Sequence, residues 1–585
     1  MQVLTALSVF FVGKQLISLS AIDILILVLY FAVVVFIGFY VKGSTNTSEQ
    51  FFLAGREMTA WIAGLSFVSA NLGSLELMGW AGAAYQYGIL AAHWYWIGAI
   101  PAMLFLGIVM MPFYYISKTH SVPGYLQLRY GEGARGMAAV SFALMTILMS
   151  GVNMYAMALV MRTVLGWDLN ISIWVGATTV AIYVMLGGLR SAIINEVLQF
   201  VLIWAGAALI PILGLIEAGG WTNLKAQIAV NVGNTSYTHL WSTLGHFKDN
   251  PMGINWVGIV FGLGAIISFG YWTTDFLVVQ RVLSAHNLRA AKMAPVIGAA
   301  FKMAVPLIVI VPGLLALSVL KNADGSVMHL AAGDFVKNHP ELHLHAYDEV
   351  LPLMLIRYCG PGLLGLGITA LVAGFMSGMA GNVSAFSTVW TYDIYGAYMN
   401  KKATDSHYVA MGRWSTVVGM LISILSAYIL AHASSIMDYV QALFSFFIAP
   451  LYGTVILGML WKRATKAGGF FGLLAGTLSS IGMFVYVHTG SAAHQSEALS
   501  RIALSADAKP MAEDMFRALW SWLICVFITI VVSYMTTPKT DAELNGLVYG
   551  ATIIPHDGAI TIWQKPIFWA GAVSVVFIAI NLYFF

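Results

Sequence analysis

The chain has 585 residues, of which 59% are hydrophobic and only 9% charged. Soluble domains carry about 25% charged residues, so this composition excludes a soluble protein and predicts an all-α integral membrane protein. A formal net charge of +3 marks no nucleic-acid partner, and no phosphate-binding glycine loop, zinc motif or nucleophile elbow points to an enzyme.

Apolar runs near the ~20 residues that a bilayer needs predict about fourteen spans. They fall at 21–41, 59–84, 91–116, 136–161, 169–188, 192–217, 254–280, 294–320, 361–392, 409–432, 437–460, 467–488, 516–536 and 564–583. Residues 1–58 form an N-terminal segment and the first span. Its leading stretch, with Lys14 as its one charge, reads as interfacial rather than as a cleaved signal.

The second span is interrupted by Ser69, Asn71, Gly73, Ser74 and Glu76. A spanning helix satisfies its own backbone and shows lipid only apolar side chains. A span broken by hydroxyls, an amide, glycine and a carboxylate therefore lines something other than lipid, because an intramembrane carboxylate faces a cavity or a partner. Discontinuous spans of this kind hold substrates and ions at the midplane of secondary transporters. The competing reading is a small-residue packing face with Glu76 buried and protonated. The seventh span, 254–280, is the other one most interrupted by glycine and polar residues. These two spans open two five-span halves of an inverted repeat, 59–217 and 218–460, the second carrying external loops. Residues 461–585 supply peripheral spans twelve to fourteen.

Lysine and arginine concentrate in loops after odd-numbered spans, among them Lys42, Arg129, Arg190, Arg281, Lys401 and Lys402. The short loops after spans two, four and ten hold only Arg162. By the positive-inside rule the odd-numbered loops are cytoplasmic and both termini lie outside. The long external loop at 321–350 holds His339, His343 and His345, a compositional hint of metal binding and no more. Cys359 and Cys525, far apart in sequence, read as packing residues rather than a disulfide or metal site.

Several landmarks recur at characteristic intervals. They are Glu49 to Arg56 ahead of the broken span, Tyr183 with Gly187-Gly188-Leu189-Arg190-Ser191, and Asn195-Glu196-Val197-Leu198-Gln199. Gln280-Arg281, Lys302 with Pro306 and Pro312-Gly313, and Thr391 to Tyr395 complete the set. In these residues, from about residue 21 to 490, the chain resembles the sodium/solute symporter family, which includes a bacterial sodium/galactose transporter. The resemblance implies a leucine-transporter-like core with 5+5 inverted repeats. It implies secondary active transport: inward symport of a small organic solute, sugar-like or otherwise polar, driven by sodium. The partners would be that solute, the sodium ion and the lipid bilayer, with no obligatory protein partner. The setting would be a multi-pass protein of a bacterial inner membrane.

Carried over position by position, the resemblance places sodium against the backbone carbonyls of Ser69, Leu72 and Gly374 and the hydroxyl of Ser377. A second hydroxyl position is Gly378 here, which leaves the site one ligand short. Sodium, a hard cation, takes oxygen ligands by the logic of calcium and magnesium. Ser377 has the alternative of bonding its own helix four residues back. Glu196 takes the place of an aspartate that assists cation exit; a carboxylate favoured by a helix N-terminus is the other reading. The sugar-binding positions correspond to Glu76, Tyr95, Gly98, Ser268 and Lys302, of which only the lysine is kept, and Gln441 is a further match. Tyr271 fits a gate tyrosine, followed by Trp272 and then Asp275, with His93, Trp94 and Trp96 as an aromatic cluster nearby. Such a pocket suits sugar hydroxyls or a substrate amine. Two other functions stay open: proton-coupled transport with Glu76 or Asp275 as carrier, and a solute sensor that has lost coupling.

Overall fold

The computed structural model describes residues 19–44, 46–73, 75–233, 235–244, 250–319, 347–430, 436–555 and 561–585. Ser74, the leading stretch with Lys14, and His339, His343 and His345 lie outside the described residues. Among the described residues, eleven helices are long and apolar enough to cross a membrane, or up to thirteen if each of two bent pairs is one span. The first half of the chain supplies α1 (Ala21–Val41), the pair α2 (Ala60–Asn71) and α3 (Leu75–Ala92), α4 (Trp94–Ile116), α5 (Glu132–Arg162) and α6 (Leu169–Ala218). A second bent pair follows, α7 (Gly258–Thr274) and α8 (Phe276–Leu283), then α9 (Leu288–Val319), α10 (Leu363–Met399) and α11 (Asp405–Ile429). The remaining helices are α12 (Ile436–Leu460), α13 (Lys466–His488), α14 (Pro510–Met535) and α15 (Pro566–Tyr583). The two bends, 60° and 50°, fall in the spans that glycine and polar residues interrupt most.

Helix α10 forms the centre, packed against α1, α2, α5 and α6. Its run of small residues makes this possible. At Gly374 an added Cβ would stand 2.6 Å from the carbonyl oxygen of Leu72, so only glycine lets α10 approach the α2–α3 break this closely. Helix α1 is fastened to the start of α10 by Asp23. That carboxylate closes a capping box with Ser20 and accepts the backbone N–H of Gly362 at 2.8 Å and of Gly365 at 2.7 Å. Ile22, Phe36 and Tyr40 on α1, and Val575 and Leu582 on α15, stay exposed on the outside of the bundle, where lipid is the matching solvent.

One expectation is sharpened and one corrected. The segments read at 169–188 and 192–217 follow one another directly within the 50 residues of α6, and Gly188, at φ 51° and ψ −145°, is the kink between two helical stretches inside Leu169–Ala207. The Phe51 carbonyl oxygen presses on the place of a Cβ at Gly188, so backbone angle and contact both demand glycine. Arg281, expected in a cytoplasmic loop, lies in α8 and is fully buried; its charge is met inside the protein, as described below. Cys359 and Cys525 are free thiols, both buried.

Candidate functional site

The α2–α3 break organises the site. Thr59 caps the start of α2, accepting the Ile62 N–H at 3.3 Å. The helix stops at Asn71, where Leu72 turns to ψ 45°. Beyond the break the first turn of α3, Leu75–Gly79, is wide. The expected cation residues meet here. The Ser377 hydroxyl donates to the Ser69 carbonyl at 2.9 Å, so it reaches across to α2 instead of bonding back to its own helix. The two serine hydroxyl oxygens are 3.3 Å apart, and the Leu72 carbonyl lies against Gly374.

On the other side of Asn71 lies a small cavity of about 40 Å³, room for a few waters and below the ~300–1,000 Å³ of small-molecule sites, so a solute enters only when its walls part. Glu76, Tyr95, Ser268 and Tyr271 line it, together with Trp272, Lys302 and Gln441. Lys302 Nζ is 3.0 Å from Glu76 Oε2; it donates to Asn71 Oδ1, and Tyr95 donates to Glu76. The ammonium lies over the Tyr95 ring at 5.1 Å and the Trp272 ring at 5.2 Å, which adds cation–π attraction. The Tyr271 hydroxyl accepts from Asn71 Nδ2 at 2.8 Å, and its ring packs on Phe444 at 5.0 Å. Two polar atoms at the cavity, Gln441 Oε1 and Trp94 Nε1, are buried with no hydrogen-bond partner among the described residues.

The remaining candidates separate. Asp275 is not among the cavity residues; its carboxylate caps α8, accepting the Leu277 N–H at 2.8 Å. A capping acid and a binding acid both sit at a helix break, so pattern alone does not distinguish them. Of the aromatic cluster, Trp94 lines the cavity. Trp96 instead donates to the Met303 carbonyl at 3.2 Å, and His93 bonds the Leu240 carbonyl at 2.7 Å. Glu196 lies past the Gly188 break, and its partners are side chains rather than a helix terminus. It accepts from Arg281 at 2.5 Å and 3.2 Å and from the Ser66 hydroxyl, with both ion-pair side chains fully buried. Sequence reasoning did not assign Trp80, Phe444 or Asn71 to the cavity. Asn71 had a signal, an amide inside the interrupted stretch; Trp80 and Phe444 read as ordinary apolar positions.

Two broken spans line one buried polar cavity, the arrangement of secondary transporters. Residues 51–476 match the sodium:solute symporter family, and the chain belongs to it. The protein is thus a multi-pass, sodium-coupled solute symporter. It is 28% identical over 576 residues to human sodium/glucose cotransporter 4, covering 94% of this chain and 82% of that protein. Rabbit (Oryctolagus cuniculus) sodium/glucose cotransporter 1 is 28% identical over 552 residues, covering 91% and 81%. These relatives are mammalian and lend nothing to a bacterial setting. A solved Na+-coupled sialic acid symporter, in a substrate-bound outward-open state, shares the fold with a TM-score of 0.71 at 20% identity, covering 89% of this chain and 99% of that one.

Proposed function

We propose that the cavity takes a neutral, polyhydroxylated solute and that sodium binds between Ser69, Leu72, Gly374 and Ser377. The observation that carries this reading is that one helix break borders both places. Ser69 and Leu72 face α10, while Asn71 and Glu76 line the cavity. An ion that orders the break therefore orders the cavity wall, which is a physical route for reciprocal coupling. The charge balance favours a neutral solute. Glu76 is the one carboxylate at the cavity among the described residues, and Lys302 already neutralises it. Gln441 Oε1 needs a donor and Trp94 Nε1 an acceptor; a hydroxyl is both. The sodium/glucose relatives fit this chemistry.

The test is uptake by purified protein in liposomes under imposed sodium or proton gradients, across sugars, polyols, amino acids and amines. Concentrative uptake of a sugar or polyol under a sodium gradient is expected. Uptake confined to amines, or driven by protons alone, would remove this reading. Sodium should also raise the unfolding temperature, since an ion that binds only the folded state stabilises it by mass action. Ser377→Ala should weaken that shift, and equal shifts with sodium and potassium would defeat the cation assignment.

We also propose that α6 crosses the bilayer twice. At ~1.5 Å per residue it is far longer than a ~30 Å hydrocarbon core, and Gly188 supplies the reversal point. Counting it as two spans, and each bent pair as one, restores about fourteen crossings with a 5+5 repeat. The basic-loop asymmetry then supports a cytoplasmic position for Lys401 and external termini. Both native thiols are buried, so an introduced cysteine reports cleanly. Lys225→Cys should react with an impermeant thiol reagent in intact cells and Lys401→Cys should not; the reverse pattern would overturn the orientation.

A further inference from the structure

Helix α5 carries a buried amide, Asn153, only 3% exposed. Its Nδ2 donates to the Met149 carbonyl at 3.0 Å, one turn back on its own helix. That bond sets the amide's rotation and directs Oδ1 toward the facing helices. There it meets two glycines. Oδ1 lies 2.5 Å from where a Cβ at Gly378 would stand, and it also crowds the place of a Cβ at Gly73. The Gly73 Cβ position is itself 3.4 Å from Gly378 Cα. Gly73 follows Leu72 and Gly378 follows Ser377, so the oxygen is wedged between the two peptide segments that carry the proposed cation ligands.

We infer that Asn153 Oδ1 is a further sodium ligand, supplying from α5 the oxygen that Gly378 lacks on α10. The inference rests on the cation placement proposed above. An amide carbonyl oxygen is a suitable donor for a hard cation, and the missing side chains at Gly73 and Gly378 are what make room for it. The site then joins three elements: the α2–α3 break, α10 and α5. A consequence separates this arrangement from a vacant hydroxyl position. Pattern alone says that Gly378→Ser adds a ligand and tightens sodium binding. The geometry says that the new side chain collides with Asn153 and weakens it.

The measurement is the sodium concentration giving half-maximal thermal stabilisation of the purified full-length protein, with potassium as the control salt. Asn153→Ala should raise that concentration about ten- to a hundredfold, the loss expected for one hydrogen-bond-strength contact to a charge. Gly378→Ser should raise it too, whereas Asn153→Ala combined with Gly378→Ser should recover most of the loss. A normal sodium response in Asn153→Ala, with a lost one in Ser377→Ala, would overturn this inference and leave the cation placement standing. A normal response in both would remove the placement itself. If Asn153→Ala does not fold, Asn153→Asp decides: several-fold tighter sodium binding is expected, and an unchanged value overturns the inference.

Discussion

Glu76→Gln should lower initial sodium-driven uptake by about ten- to a hundredfold, the range for losing a hydrogen bond to a charged group. The change keeps the side chain's shape and removes its charge. Lys302, 1% exposed and 3.0 Å away, is then left with the Asn71 amide oxygen and two ring faces. Breaking a buried pair by removing one partner costs about 3–5 kcal/mol, so the unfolding temperature should fall as well. Glu76→Gln with Lys302→Met separates the two effects. The double variant should recover thermal stability, since replacing both partners by similar volumes is often neutral, but it should not recover uptake. Initial uptake rate normalised to folded protein is the measure. Wild-type uptake by the double variant would reduce the pair to a packing element.

The second large effect is expected at Glu196 and Arg281. Neither side chain is exposed, and Arg281 also donates to the Leu277 carbonyl at 2.8 Å. Glu196→Gln should cost about 3–5 kcal/mol by stranding a buried guanidinium. Glu196→Gln with Arg281→Gln should restore most of that stability. The proposed part of Glu196 in cation exit makes a separate demand: the double variant should still release sodium slowly, seen as reduced turnover with an unchanged half-saturating solute concentration. Full turnover in the double variant would leave Glu196 as an ion-pair partner only.

The sequence shows where apolar runs are interrupted, and the structure bends at both interruptions. Hydrophobic periodicity and residue type carry that information locally. What they do not carry is which polar residues face one another. Asp275 and Glu76 look alike as acids at broken spans, yet one caps α8 and the other pairs with Lys302. Arg281 reads as a loop residue because charge usually marks a loop; its partner 85 residues earlier leaves no periodic trace. Gly188 kinks the chain with a single residue, at the boundary where the glycine pair and Arg190 interrupt the apolar run. Asn153 lies in a mostly apolar helix with Thr146 and Ser150, and its meaning depends on two glycines from distant segments.

The buried ion pairs also bear on how the chain is made. An ionised side chain costs about 2.5–3.5 kcal/mol at the centre of an inserting helix and less near its ends, where Glu196 and Arg281 fall. Glu196 leaves the ribosome 85 residues before Arg281, an interval of roughly 4–17 s at about 5–20 residues per second. Asn71, at the break beside Glu76, precedes Lys302 by 231 residues, or roughly 12–46 s at the same rate. For that time Glu196 and Glu76 have hydrogen-bond donors from the N-terminal half, Ser66 and Tyr95, but not the opposite charges they pair with in the finished protein. Both ion pairs close only after α8 and α9 have been synthesised, so the two halves reach their final arrangement late.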